Sequence, residues 1–184
     1  MSATLLPKLL EQTIGGKFKV LTGFLRVPDI DVAVEGGALQ CRALSIDGFF
    51  SYEPHPTWLR SGFIRVLVQT GAWRDPRLAD VPTLSETMDE FMTPDSGRAP
   101  AQLVLASSEF GRPIVGPPGI PPDRAKALRD AFDNAMKDPA LVAQAKKENL
   151  DLNPASGREL EALAKQVVAQ PRDLIERMKK LLGK

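Results

Sequence analysis

Lys17-Phe18-Lys19-Val20-Leu21-Thr22, closed by Gly23, is the stretch on which the fold class turns. Polar and apolar residues alternate along most of it, as they do in a strand that buries one face. Gly15-Gly16 separates it from residues 2–14, where Leu6, Leu9, Leu10 and Ile14 share one helical face and Ser2 stands at the capping position. Downstream a loop runs to Pro28, and Asp29 is placed to cap a short helix carrying Val32, Ala33 and Val34 before Gly36-Gly37. A second β-rich run, Ile64-Arg65-Val66-Leu67-Val68-Gln69, stops at Thr70-Gly71. Two such runs with helical signals between them predict neighbouring strands of one sheet, an α/β arrangement.

Residues 38–62 are aromatic-rich and broken by Pro54 and Pro56, so irregular structure with a short helix is expected there. Thr83-Leu84-Ser85-Glu86 has capping-box spacing and predicts a helix over 84–92. A polar linker over 93–100 precedes a helix over 99–108. Residues 111–122 hold five prolines and three glycines, an extended crossing and the best boundary in the chain. Three regions follow: an α/β domain over 1–110, the crossing, and a helical segment over 123–184. In that segment Leu128, Ala131, Phe132, Ala135 and Met136 form one stripe, and Asp138-Pro139 restarts a helix. Ser156-Gly157-Arg158-Glu159 is a second capping box, opening a helix striped by Leu160, Leu163, Ala164, Val167 and Val168. Pro171 breaks or kinks it before Leu174, Ile175, Met178, Leu181 and Leu182 resume the stripe.

Composition narrows the function classes. With 43% apolar and 26% charged residues the 184-residue chain reads as a soluble globular protein, and no apolar run has the length of a membrane helix. A formal net charge of +1 does not supply the positive field of a non-specific nucleic-acid binder. One Cys and one His exclude an internal disulfide and any zinc site needing two such ligands. No nucleophile elbow, phosphate-binding loop or dinucleotide fingerprint occurs, so no catalytic residue, metal or cofactor is expected. His55, between two prolines, reads as a surface loop histidine, and Cys41 as a small buried hydrophobe. The basic residues near the C-terminus complement a helix dipole.

Ligands of open α/β sheets bind where loops leave strand ends beside helix N-termini. Thr22 offers a hydroxyl there, Gly23 lets a ligand approach the backbone, and Phe24 presents a ring face. The helix start at Asp29 and Asp31 completes a candidate ligand site, with Arg26 as charge partner for a carboxylate or, alternatively, pointing into solvent. Asp29 and Asp31 lie two apart and do not face each other as a catalytic pair.

The segments 17–24 and Asp29-Ile30-Asp31-Val32-Ala33 resemble the tripartite tricarboxylate transporter receptors, the Bug-type extracytoplasmic solute receptors. The resemblance continues through Val66-Leu67-Val68-Gln69-Thr70-Gly71, the run from Arg74 to Leu84, Gly111-Arg112-Pro113, Pro117-Pro118-Gly119-Ile120-Pro121, Leu128-Arg129-Asp130-Ala131-Phe132, Lys137-Asp138-Pro139 and Ser156-Gly157. It implies a type II periplasmic-binding-protein-like fold, the Venus flytrap, of which this chain carries the second lobe and the first lobe's C-terminal helices. It also implies non-covalent binding of a small organic acid and delivery to membrane transporter subunits, without catalysis. The full-length family form is periplasmic; this chain as written shows no signal peptide and reads as cytoplasmic. Leu25-Arg26-Val27-Pro28 stand where the family's loop is glycine-rich. The alternative is a truncated product with a structural or interaction role and no ligand. Either way the striped C-terminal helices need a partner surface, and a homodimer formed by exchanging or stacking them is expected; the competing outcome is a monomer with those helices folded onto residues 2–108.

Overall fold

The computed structural model describes residues 4–148 and 150–182, with all their side chains except those of residues 107, 108, 181 and 182. Ser2 and the Leu181 and Leu182 side chains therefore lie outside the described residues. Helices build the described chain: α1 (Leu5–Ile14), α2 (Val27–Glu35), α3 (Ile46–Ser51), α4 (His55–Arg60), α5 (Leu84–Glu90), α6 (Asp95–Ser108), α7 (Pro122–Ala135), α8 (Pro139–Lys147), α9 (Gly157–Val168) and α10 (Arg172–Leu182).

The expected α/β Venus-flytrap architecture is overturned. Among the described residues there is no sheet, only an isolated parallel bridge between Gln69 and Thr83, and the fold is all-helical. A strand exists only through a ladder with a neighbour, and neither β-rich run finds one. At residues 17–22, Phe18 donates its N–H to the Glu11 carboxylate at 3.1 Å rather than to a strand. Over 64–68 the side chains keep strand alternation, with Ile64, Val66 and Val68 half-buried and Arg65 and Leu67 exposed, while Gln69 is buried. Val68 packs against a helical core instead of a sheet.

That core explains the preference. Leu9 of α1, Leu84 and Met88 of α5, and Ala101, Val104 and Leu105 of α6 form one buried cluster, with Met178 of α10 packed against it. The stripe of α10 is thus covered by its own chain, on α1 and α6, and needs no second lobe. Thr93 ties the end of α5 to α1 by donating its hydroxyl to the Thr13 carbonyl at 2.6 Å. Gly97 lets α6 start there, since a Cβ at that position would stand 3.0 Å from the Gln12 carbonyl oxygen.

Helix ends follow the local rules. Both capping boxes form: Thr83 with Glu86 on α5, and Ser156 with Glu159 on α9. Asp138 caps α8, accepting from the Ala140 and Leu141 N–H groups at 2.9 and 3.0 Å, with Pro139 in the first turn. The start of α2 departs from expectation. Arg26 holds the capping position, and the Asp29 carboxylate pairs with its guanidinium instead of the helix N–H groups. Helix α6 begins at Asp95, inside the expected linker, and carries Pro100 within it.

The chain forms two compact units, one running through Ser108 and resuming at Pro171, the other spanning Glu109–Gln170. In the second, α7 and α9 are joined by Arg129 Nη2 and Glu161 Oε2 at 3.0 Å. Ala145 is the buried hydrophobic residue there among those described, while Leu128 and Val168 stay exposed.

The Glu86 box yields a pH test. Arg74 first, then the Thr83 N–H, hold the Glu86 carboxyl below the usual carboxylate range. A lowered folded pKa contributes stability that is present above the unfolded value and is lost as pH falls through the folded one. Glu86→Gln is therefore expected to melt below wild type at neutral pH, with the gap closing below about pH 4. Thr83→Ala, which removes the other half of the box, should cost about 1 kcal/mol. A melting-temperature gap for Glu86→Gln that is constant from neutral to acid pH would contradict the assignment.

Candidate functional site

The residues expected to form a ligand site divide between two environments. Thr22, Gly23 and Phe24 lie in an exposed segment that leads into α2, and Gly23 has φ of 100°, a conformation glycine alone adopts without strain. Arg26 follows with its side chain 74% exposed. Its guanidinium straddles the Asp29 carboxylate, Nη2 to Oδ1 at 2.7 Å and Nε to Oδ2 at 3.3 Å. This cation stands at the start of a nine-residue helix, where peptide dipoles already favour an anion.

Asp31 is on the opposite side of α2 and is buried. Its Oδ1 accepts from Arg42 Nη1 and sits 3.0 Å from His55 Nε2. The other ring nitrogen, His55 Nδ1, is 3.2 Å from the Gly48 carbonyl oxygen. Phe49 stacks on the imidazole with centroids 6.1 Å apart, and Trp58 meets it edge-on at 5.5 Å. Trp58 also donates its indole N–H to the Glu35 carboxylate at 3.2 Å, which fixes α4 against α2. Asp31 therefore joins α2, the segment after it and α4 through one carboxylate.

Chemically this cluster holds structure. Both His55 nitrogens lie within hydrogen-bond distance of an oxygen, the Gly48 carbonyl and Asp31 Oδ1, and Asp31 is engaged by two partners. Arg42 Nε is buried without a hydrogen-bond partner among the described atoms. Two sequence expectations are reversed: His55 is buried rather than on a surface loop, and Cys41 is exposed rather than packed inside. Arg42 and His55 stand 11 and 24 residues from Asp31, a separation at which no local pattern marks a pair. The one sequence signal was Asp31 itself, a carboxylate two residues from Asp29 and so on a different helix face.

No group of three or more potential metal ligands occurs among the described residues, and no described helix is long and apolar enough to cross a membrane. Comparison with protein families, curated proteins and solved structures finds no match to this chain.

Proposed function

We propose that the chain acts by binding, as part of a solute receptor that holds a small carboxylated metabolite and passes it to membrane transporter subunits. The observation that supports this most is the presentation of Arg26 beside Thr22, Gly23 and Phe24 at the start of α2. An exposed ion pair such as Arg26–Asp29 contributes only about 0–1 kcal/mol, so a ligand carboxylate displaces Asp29 at little cost. In exchange it gains a two-pronged contact with the guanidinium. Asp31, locked by Arg42 and His55, supports the loop from behind rather than touching the ligand.

Thermal-shift titration with di- and tricarboxylic acids tests this. At about 100 times the dissociation constant a bound acid adds about 2.7 kcal/mol, a rise of several degrees in melting temperature. Arg26→Ala should abolish the rise, and Arg26→Lys, which keeps charge but loses the fork, should retain only part of it. A wild-type protein that no organic acid stabilises at millimolar concentration would end the proposal. A second reading, an interaction role without small ligand, draws on Leu25, 94% exposed in the approach to α2 between Phe24 and Arg26.

A further inference from the structure

The run 64–68 alternates as a strand does, half-buried at 64, 66 and 68 and exposed at 65 and 67, but belongs to no ladder among the described residues. At its end the Gln69 N–H donates to the Pro82 carbonyl at 2.9 Å, and the Gln69 carbonyl accepts from Leu84 N–H at 2.7 Å. The Gln69 side chain clamps the same loop, donating to the Leu78 and Val81 carbonyls and accepting from the Asp75 N–H, each at 2.9 Å. Gln69 therefore turns its backbone groups toward residues 82–84. Backbone direction alternates along a strand, so Val66 and Val68 turn theirs toward the opposite edge. Ile64 closes that edge at its start, donating its N–H to the Trp58 carbonyl at 3.3 Å. Among the described residues, no hydrogen bond reaches the backbone of Arg65, Val66, Leu67 or Val68.

We infer that this edge pairs with the same edge of a second copy of the chain, antiparallel, with the two-fold axis at Leu67. The free groups select that register. Val66 and the partner's Val68 exchange both of their hydrogen bonds, and the reciprocal pair does the same, so four backbone bonds form from groups that have none within the chain. Leu67 then faces the partner's Leu67 in the close, non-hydrogen-bonded position, with Cα atoms about 4.5 Å apart. Arg65 falls opposite the partner's Gln69, so like charges do not meet.

The occupant is a second copy because the edge complements itself: its unpaired N–H and C=O groups are matched by the same groups of an antiparallel copy. Leu67 is 68% exposed and Phe63, the residue before the run, 52%, so apolar side chains border the paired groups. The contact lies at the small end of specific interfaces, below about 1,200 Å². The α10 stripe takes no part, since it covers α1 and α6 of its own chain.

Light scattering on the full chain without added acid, at about 50 µM, should give twice the 20.0 kDa chain mass. Leu67→Glu sets two carboxylates against each other on the axis and should restore 20.0 kDa with an unchanged circular-dichroism spectrum. Register is read by oxidation in a Cys41→Ser background: Leu67→Cys should cross-link to a covalent dimer, because its Cα separation suits a disulfide. Arg65→Cys, more than about 10 Å from its mate in this register, should not. A wild-type mass of 20.0 kDa, a Leu67→Glu protein that stays dimeric, or equal cross-linking at both positions would each overturn the inference. Arg26→Ala should leave association unchanged, so failure of acid binding and failure of strand pairing are read separately.

Discussion

Asp31→Ala is expected to destabilise the unit containing α1 through α6 by about 3–5 kcal/mol. The carboxylate is the common acceptor of Arg42 and His55, and all three side chains are nearly enclosed. Removing it leaves a guanidinium and an imidazole in a low-dielectric interior with no anion, which costs far more than losing a surface pair. Against a total stability of about 5–15 kcal/mol for a domain, that is a large fraction. Asp31→Asn keeps an oxygen acceptor and should cost less. In the double variant Asp31→Ala with Arg42→Met, neither the orphaned cation nor the missing acceptor remains for the Arg42 side. Its loss should fall short of the sum of the single losses by at least about 1 kcal/mol. Urea denaturation followed by far-ultraviolet circular dichroism measures wild type, Asp31→Ala, Asp31→Asn, Arg42→Met and the double variant. Additive losses, or a single-variant loss under about 1 kcal/mol, would mean that the cluster is not a coupled unit.

Leu84→Ala should cost about 2–5 kcal/mol. Leu84 is fully buried, opens α5, and touches the cluster built by Leu9, Met88, Ala101, Val104 and Leu105. Its N–H also holds the Gln69 carbonyl, so the cavity lies where helix and strand-like run are joined. Leu128→Ala removes the same atoms from the other unit, where the side chain is exposed, and should change stability by no more than about 0.5 kcal/mol. Comparable losses for the two variants would show that the second unit buries α7 against a surface that its own residues do not supply.

The exposed loop ahead of α2 was legible. Thr22, Gly23, Phe24 and Arg26 do form a consecutive exposed approach to α2, as the Gly23 and Pro28 punctuation indicates. The pairing of Arg26 with Asp29 was not foreseen, although it spans only three residues. The spacing allows Asp29 to cap the backbone or to take the guanidinium, and the charge-assisted bond prevails where Arg26 itself occupies the capping position. Asp31 was singled out for a ligand and is engaged internally. Nothing in the 24 residues between Asp31 and His55 shows that α4 will bring an imidazole to it.

The sequence by itself determined where helices start and stop. Thr83–Glu86, Ser156–Glu159, Asp138-Pro139 and Gly15 act over three or four residues, so their outcome is settled before the chain has folded around them. It also determined which side chains of 64–68 face inward, because alternation is a property of the backbone, whereas Gln69 is buried by its clamp on the 75–81 loop. Whether that run becomes part of a sheet is not local. It requires another run at 4.7–4.9 Å with free N–H and C=O groups, and bringing distant segments together costs loop-closure entropy that only a formed ladder offsets. Here α1, α5 and α6 form the core, and Val68 packs against it, as does Met178 of α10. The tertiary structure therefore decided the fold class: helices satisfy their own hydrogen bonds as they pack, whereas a strand depends on a partner that this chain does not place beside it.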